Sequence, residues 1–329
     1  MTAPDTTASR TGAGASMPAG RPNAAGRRSP RMRPNRATSA AAQTSLILSW
    51  AQGLVGLVDS VRDVSWPRES SRVWELNGTG GRHFLKLSPD RLAFDRETYA
   101  YRGAAPKLGD GRAPVLVDAD PVAMALLLTA VPGAVVKGLT LTAGEEGDIH
   151  RQAGALLRRL HDTATPSAHT RLEAAADTSR LLDQGARQLA VWTPLLTAAQ
   201  RLLVGDLIDE LRGTSELPAA FLHGDWQPRN WLWSGELAAV DFEQSRYGPA
   251  VDDFVLLASG PWWLDRPDLR ESFISGYGRT LNGAEQRALR GLAGLAAAGG
   301  IARGTAAADL ELVRRGQLTL NRLLTGDFA

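Results

Sequence analysis

Two short polar stretches carry the residues best suited to chemistry: HGDWQPRN (223–230) and VDFE (240–243). Each follows an apolar run, which places its polar side chains where a buried strand meets the surface. The runs WLW and LAAV between them are joined by a Ser-Gly step, which favours a hairpin turn. Pairing of the two runs would bring Asp225, Asn230 and Asp241 together at one end of the hairpin.

The chemistry predicted for these residues is phosphoryl transfer. A carboxylate and an amide oxygen at one point are hard ligands that suit Mg²⁺, and Asp225 could then face a substrate hydroxyl. The transfer also needs a cation on the phosphates, and Lys86 in the apolar strand HFLKL is the candidate. Glu97, in the helix predicted next, would hold its ammonium group in place. The alternative is that Lys86 lies on an edge strand and points to water.

The elements that must position these residues divide the chain into a small sheet and a larger helical region. Ordered structure is predicted from about Thr44, with helical spacing in SLILSWAQGLVGLVDSV (45–61). After Asp90, a possible cap, a helix is predicted with Leu92 and Tyr99 turned inward. Strands are predicted at 71–76, 83–87, 113–120 and 122–131.

The glycine-rich NGTGG segment between the first two of these strands resembles a phosphate-binding loop. We interpret it as a hairpin turn, because a phosphate loop leads from a strand into a helix, whereas this segment leads into another strand. VPGA (131–134) marks the hinge, and mostly helical patterns follow from Asp148 onward. The predicted domains are a disordered tail (1–43), an N-terminal nucleotide-binding lobe (44–130) and a C-terminal catalytic and substrate-binding lobe (131–329).

At residues 66–260 the sequence resembles the aminoglycoside phosphotransferase and choline-kinase-like family of small-molecule kinases, relatives of the protein kinases. The matching motifs are HGDWQPRN, DFE, FLK with Lys86, RETYAYR with Glu97, and PAVDDF. The resemblance implies an α+β, bilobal, protein-kinase-like fold, in which a small N-terminal antiparallel sheet with a helix precedes a larger, mostly helical C-terminal lobe. It also implies ATP, with GTP as an alternative, and Mg²⁺ as cofactors.

The resemblance further implies a role for individual residues. Asp225 would be the catalytic base, Asn230 and Asp241 would bind Mg²⁺, and Lys86 with Glu97 would hold the nucleotide phosphates. The phosphate-capping loop falls on Ser70 and Ser71, and adenine would bind the connector backbone from Thr129 to Val131. Asp252 would brace the catalytic loop. The ring of His223 is expected to hold the loop backbone rather than to take part in catalysis.

The acceptor is expected to be a small molecule with a hydroxyl group, such as an antibiotic that the enzyme inactivates or a metabolite (an amino alcohol, sugar or amino acid). Trp226, Trp262 and Trp263 could form an aromatic wall, with core packing as the alternative. Asp253 and Asp265 could supply negative charge for a cationic acceptor, although solvated surface acids are as common.

Composition excludes several other classes. The chain has no cysteine, which rules out disulfides and thiolate zinc sites and fits a cytoplasmic location. Its apolar runs are shorter than the ~20 residues of a membrane span. The tail (1–43) carries a net charge of +6 and the remainder −4, so the basic pI describes the tail; without aromatic residues there, nucleic-acid binding is not expected. The oligomeric state is left open.

Two other functions compete with the kinase interpretation. A metallohydrolase could use His161, His223, Asp225 and Asp241, although these histidines lack the close helical spacing of zinc sites. A catalytically silent, kinase-like binding module is the second alternative, and the presence of the base, both metal positions and the lysine argues against it.

Overall fold

The computed structural model describes residues 36–65, 71–163, 167–214, 217–260 and 265–328. The chain divides into two units, Met1–Thr44 and Ser45–Ala329. In the first unit the described residues, from Arg36, are helical. Apart from the start of the first helix, all that follows concerns the second unit.

A five-stranded antiparallel sheet forms the N-terminal part of this unit, with strand order β1-β2-β3-β5-β4. Its strands are β1 (Val58–Asp63), β2 (Arg72–Gly78), β3 (Gly81–Leu87), β4 (Leu116–Asp120) and β5 (Ala125–Thr129). Strands β2 and β3 form the predicted hairpin, in which Gly78 is paired with Gly81. Gly81 has a φ of 95°, a conformation that glycine adopts without strain. The prediction of a turn rather than a phosphate loop is confirmed.

The first helix differs from its prediction at both ends. Helix α1 (Arg36–Val55) begins before Thr44, the expected start of ordered structure, and it ends before the predicted helix does. Gly56 follows with a φ of 83°, which terminates the helix, and the next residues form the edge strand β1. Pairing with β2 supplies backbone hydrogen bonds to this stretch, a tertiary effect that apolar spacing alone does not reveal.

Helix α2 (Arg91–Gly103) packs beside the sheet and begins as predicted, since the Asp90 side chain accepts a hydrogen bond from the helix backbone. The prediction that Leu92 and Tyr99 face inward is wrong, because they are 58% and 56% exposed, although neighbouring apolar groups such as Phe94 are buried. The buried face instead contains Glu97. The helix is therefore oriented so that an acidic side chain, not its leucine, faces the interior.

The C-terminal part is mostly helical, as predicted. Its helices are α3 (Ala143–His161), α4 (Ala168–Trp192), α5 (Ala198–Arg212), α6 (Val255–Ala258), α7 (Pro267–Tyr277), α8 (Gly283–Ala306) and α9 (Leu310–Thr325). Helix α3 starts five residues before Asp148, because Thr142 and Glu145 form a capping box. In the part of the chain that the structure describes, no helix is long and apolar enough to cross a membrane.

Two small sheets lie between these helices and carry the polar stretches. One has the order β6-β8-β9, and the other pairs β7 with β10. Their strands are β6 (Ala134–Val135), β7 (Ala219–Leu222), β8 (Trp231–Trp233), β9 (Leu237–Ala239) and β10 (Arg246–Pro249). The predicted hairpin of WLW with LAAV is confirmed, with Trp231 paired with Ala239. Strands β6 and β10 were not predicted.

Candidate active site

Lys86 lies at the centre of a cluster of carboxylates. Its Nζ is 2.9 Å from Oε2 of Glu97, 2.5 Å from Oδ1 of Asp241 and 2.9 Å from Oε2 of Glu243. The lysine side chain is 7% exposed, so the alternative in which it points to water is wrong. The expected pair with Glu97 is formed, because β3 and α2 turn these two side chains toward each other.

Burial and charge act against each other in this cluster. Burial alone would lower the pKa of Lys86, but the carboxylates of Glu97, Asp241 and Glu243 outweigh it and hold that pKa well above its ordinary value. Burial raises the pKa of Glu97 to about 7, although Lys86 opposes the rise. The side chain of Lys86 is therefore a charged ammonium group, held between Glu97 and the two acids of the DFE motif.

The DFE motif places its two acids on one side and its aromatic ring on the other. Phe242 is fully buried, with its ring centroid 4.7 Å from that of His223, while Asp241 and Glu243 both reach Lys86. Asp241 has a φ of 69°, which is unfavourable for a residue with a side chain. Such backbone strain is concentrated at functional sites.

Asp225 is buried and accepts hydrogen bonds at both of its carboxylate oxygens. Oδ2 accepts from Nδ2 of Asn230 and from a guanidinium N–H of Arg229, each at 2.7 Å, and Oδ1 accepts from Nε2 of Gln227. The three-residue turn Pro228–Asn230 brings two of these donors, Arg229 and Asn230, back to Asp225. The roles of Gln227 and Arg229 were missed in the sequence, where roles were assigned only to His223, Asp225, Trp226 and Asn230 of this motif.

Asp253 holds the backbone of the HGDWQPRN loop. Its Oδ2 accepts from the backbone N–H of His223 at 2.8 Å, and its Oδ1 accepts from the N–H of Gly224 at 2.7 Å. Nε2 of His161 lies 3.0 Å from the same Oδ2. A single buried carboxylate thus fixes the backbone immediately before Asp225.

This arrangement corrects two predicted roles. Asp252, expected to brace the loop, instead pairs with Arg246, while its neighbour Asp253 makes the bracing contacts. Asp253 was also expected to contact a cationic acceptor, but its side chain has no exposed surface and its oxygens are occupied. The turn at 250–254 directs adjacent aspartates to different partners, and the sequence does not show which one faces the loop.

The ring nitrogens of His161 and His223 are all engaged by protein groups. Nε2 of His223 is 3.1 Å from the carbonyl oxygen of Val240, and its Nδ1 accepts from the N–H of Asp225 at 3.3 Å. His161 is bound by Asp253 on one nitrogen and by the Tyr277 hydroxyl, at 2.8 Å, on the other. The metallohydrolase interpretation therefore lacks its nitrogen ligands, and His223 holds the loop backbone as expected.

A cavity of about 380 Å³ lies beside these groups. Its lining includes Ser71, Lys86, Thr129, Val131, Asn230 and Asp241. At the connector, the N–H of Thr129 is bonded to the carbonyl of Val115, whereas the N–H of Val131 donates to no backbone carbonyl in the described residues. The hydroxyl of Ser71 donates to Oε2 of Glu243 at 2.7 Å, which links the end of the predicted phosphate loop to the DFE motif.

The residues predicted to contact the acceptor differ in their exposure to solvent. Trp226 is 1% exposed and packs against His223 and Trp231, so its predicted place in a substrate wall is wrong and the core-packing alternative is right. Asp265 is largely exposed and bonds to Arg322 at 2.7 Å. Three predicted residues lie outside the described part of the chain: Ser70, Trp262 and Trp263.

Comparison with models of protein families identifies the family of this chain. The model of the phosphotransferase enzyme family matches residues 66–294, which is well over half of the chain. The chain belongs to this family. It is therefore a phosphotransferase enzyme. A comparison with curated protein sequences gives no significant match.

Solved structures of antibiotic phosphotransferases share the fold. APH(2")-IIa in a ternary complex with streptomycin and ATP is 15% identical, with a TM-score of 0.62 over 85% of this chain and 98% of that one. Macrolide 2'-phosphotransferase MphH from Brachybacterium faecium is 18% identical, with a TM-score of 0.56 over 85% and 98%. A thermostable mutant of APH(4)-Ia is 15% identical, with a TM-score of 0.59 over 84% and 98%. The predicted α+β, kinase-like fold is confirmed.

Proposed function

We propose that this phosphotransferase uses ATP and Mg²⁺ to move the γ-phosphoryl group to a hydroxyl of a small molecule. The observation that carries the proposal is the Lys86 cluster. A single cavity is lined by Lys86, Asp241 and Asn230, and Glu243 of the DFE motif pairs with Lys86 beside it. Asp225 is hydrogen-bonded to Asn230. Phosphoryl transfer needs a cation on the phosphates, ligands for a metal ion and a group that orients the acceptor hydroxyl.

The nucleotide would occupy the cavity with its base at the connector and its phosphates at Lys86. The N–H of Val131 is the donor that we assign to the base, since the neighbouring N–H groups of Thr129 and Ala130 already bond to Val115 and Arg82. Ser71 would approach the phosphates from the sheet. Related structures contain ATP, ADP or GDP by their names, so we propose ATP and retain GTP as the alternative.

The oxygen donors present fit Mg²⁺. Nδ2 of Asn230 is directed at Asp225, which leaves its Oδ1 for a cation, and Asp241 contributes a carboxylate in the same cavity wall. Oxygen ligands of this kind are the ones that Mg²⁺ prefers beside phosphate groups. Held by Asn230 and Asp241, the ion would neutralise charge on the phosphates. Glu243 is a further acidic group within the same cluster.

The remaining steps belong to the chain itself. Asp225 orients the acceptor hydroxyl and accepts its proton as the new oxygen–phosphorus bond forms and the bond from γ-phosphorus to ADP breaks. Lys86 holds the nucleotide phosphates, and Glu97 holds Lys86. His223 and Asp253 keep the loop backbone fixed, so that Asp225 does not need to be reordered during transfer.

Antibiotics are the acceptor class that we favour, because related structures of this fold have streptomycin, gentamicin, kanamycin and spectinomycin in their names. A metabolite kinase acting on an amino alcohol, sugar or amino acid is the alternative. A silent binding module would lack transfer activity even though it keeps the fold. A cytoplasmic location remains a prediction from the sequence.

The test is mass spectrometry of hydroxylated antibiotics and small metabolites after incubation with the protein, ATP and Mg²⁺. We expect a phosphate adduct on one compound, lost with Asp225→Asn and kept with Asp209→Asn, a matched control at an exposed surface pair. An adduct that persists at full rate with Asp225→Asn would refute the assigned mechanism. Failure of the wild-type protein to bind Mg·ATP would favour the silent module.

A further inference from the structure

One arginine lies where the two polar stretches of the site meet. Arg246 is the first residue of β10, and in the antiparallel pairing with β7 it is opposite Leu222, the residue that leads into the HGDWQPRN loop. It also follows the DFE motif by three residues. Its side chain is 18% exposed. Arg246 therefore lies where the segment after Asp241 passes the segment before Asp225.

Three acceptors hold the guanidinium group of Arg246. Its Nε donates to Oδ2 of Asp177 on α4 at 2.8 Å, and its Nη2 donates to Oδ2 of Asp252. Its Nη1 donates to the carbonyl oxygen of Gln244 at 3.2 Å. A guanidinium presents its N–H donors in one plane at fixed angles, so these acceptors are held in one geometry. Arg246 thereby joins α4 and the turn at 250–254 to the segment after the DFE motif.

The carbonyl group that Arg246 holds lies directly against Gly224. A Cβ at Gly224 would be 2.3 Å from the oxygen of Gln244 and 2.9 Å from Nη1 of Arg246, which only a glycine permits. Because no side chain fits between these backbones, a shift of Gln244 toward the loop must also displace Gly224. Gly224 immediately precedes Asp225, and Gln244 immediately follows Glu243. The contact therefore couples the position of Asp225 to that of the DFE motif.

The same short segment is also attached to α2. The buried Ser245 donates its hydroxyl to the carbonyl oxygen of Arg96 at 3.2 Å, next to Glu97 in the sequence. The N–H of Ser245 donates to the carbonyl oxygen of Phe242 at 3.0 Å. Residues 244–246 thus contact α2, α4 and the HGDWQPRN loop, and Arg246 makes the charged contacts among them.

We infer that Arg246 is a positioning residue for phosphoryl transfer, which sets the distance between Asp225 and Asp241. Asp177 fixes its guanidinium plane from α4. The inference rests on the proposed function. A displacement of about 1 Å caused far from the reacting atoms can lower a rate about 10²-fold. Arg246 is not among the described residues that line the cavity, so its removal should change the rate of transfer and not the affinity for nucleotide.

A purely structural role for Arg246 makes a different prediction. If it only neutralised Asp177 and Asp252, its removal would lower the free energy of unfolding but leave the rate of the folded enzyme unchanged. A lysine, which carries the same charge, would then be a sufficient replacement. The positioning role requires the planar set of donors that a lysine does not have.

The experiment measures Mg·ADP affinity by calorimetric titration and ATP hydrolysis with water as acceptor, both with the full chain. It compares the wild type, Arg246→Ala, Arg246→Lys and the control Arg180→Ala, whose arginine pairs with the other oxygen of Asp177 but is 67% exposed. We expect Arg246→Ala to bind Mg·ADP as the wild type does and to hydrolyse ATP about 10²-fold more slowly. Arg246→Lys should recover only part of this loss, and Arg180→Ala should retain the wild-type rate.

Two further measurements separate the plane of the side chain from its charge. Ethylguanidinium at millimolar concentration should occupy the space left in Arg246→Ala and restore part of the hydrolysis, whereas ethylammonium should not. Asp177→Asn should slow hydrolysis in the wild-type background but have no further effect in Arg246→Ala, because both residues act through one contact.

The possible failures can be distinguished. Hydrolysis at the wild-type rate by folded Arg246→Ala or by Arg246→Lys would overturn the positioning role while leaving the proposed function intact. A parallel loss of Mg·ADP affinity would also overturn it, because the effect would then lie in the nucleotide site. Absence of Mg·ADP binding by the wild-type protein would overturn the proposed function and the inference together. Thermal unfolding shows whether each variant is folded; if Arg246→Ala is not, the rates of Arg246→Lys and Asp177→Asn decide the question.

Discussion

Replacing Glu97 with glutamine removes one charge from the Lys86 cluster while nearly preserving the shape of the side chain. The Glu97 side chain has no exposed surface, and burial raises its pKa from 4.5 to about 7. The folded protein therefore holds this proton more tightly than the unfolded chain does. Between the two pKa values the unfolded state loses the proton first, so the contribution of Glu97 to stability is present at low pH and is lost as the pH rises.

The size of this effect follows from the pKa difference. At about 1.4 kcal/mol for each pKa unit, the rise from 4.5 to about 7 corresponds to about 3 kcal/mol of folding free energy. Most of it is lost between pH 5 and pH 8. Glutamine does not titrate, so Glu97→Gln should gain about 3 kcal/mol relative to the wild type across this interval. Titrating groups outside the Lys86 cluster are the same in both proteins, so the comparison reports on Glu97 together with the groups that it contacts.

Urea unfolding followed by tryptophan fluorescence, without nucleotide, measures the difference at several pH values. We expect the free energy of unfolding of Glu97→Gln to rise relative to the wild type as the pH increases. The same variant should bind Mg·ATP more weakly, because Lys86 loses the side chain that positions it. A difference in the free energy of unfolding that stays constant from pH 5 to pH 8 would show that burial does not raise the pKa of Glu97.

Three further variants test other parts of the site. Lys86→Met should weaken Mg·ATP binding by at least about tenfold in a calorimetric titration, since a charge-assisted hydrogen bond contributes about 1.5–3 kcal/mol; Lys107→Met, at an exposed lysine, should not. Asp253→Asn should lower both kcat and the free energy of unfolding, the latter by about 3 kcal/mol in urea, because two backbone N–H groups lose a charged acceptor. Gly224→Ala should destabilise the fold by at least about 2 kcal/mol, because its φ is 80° and a Cβ would lie 2.3 Å from the carbonyl oxygen of Gln244. Gly235→Ala, where φ is 91° but no atom lies near the added Cβ, should cost only about 1 kcal/mol in the same urea measurement.

The parts of the fold predicted most accurately are those in which local sequence and tertiary structure agree. The β2–β3 hairpin carries its own turn residues, and the Asp90 cap precedes its helix. The hairpin of WLW with LAAV brings HGDWQPRN and DFE together because the spacing leaves little freedom. In each case the short-range pattern is sufficient to fix the geometry.

The errors arise where a side chain could face either of two ways. Asp252 and Asp253 are adjacent acids, and only the turn that contains them decides which one reaches the loop backbone. Trp226 follows Asp225 and could have lined a pocket, but it packs in the core beside His223. Tyr99 has helical spacing typical of an inward residue, yet the helix is rotated to bury Glu97. Tertiary packing decides these orientations, and no spacing within one element reveals them.

We assign nucleotide binding and phosphoryl transfer to separate residues of one site. Measuring Mg·ATP affinity and ATP hydrolysis together for the wild type and Asp225→Asn tests this assignment. We expect the variant to bind Mg·ATP about as tightly as the wild type but to lose nearly all hydrolysis, since Lys86 and Asp241 remain while the proposed base is gone. Hydrolysis at the wild-type rate in Asp225→Asn would contradict it.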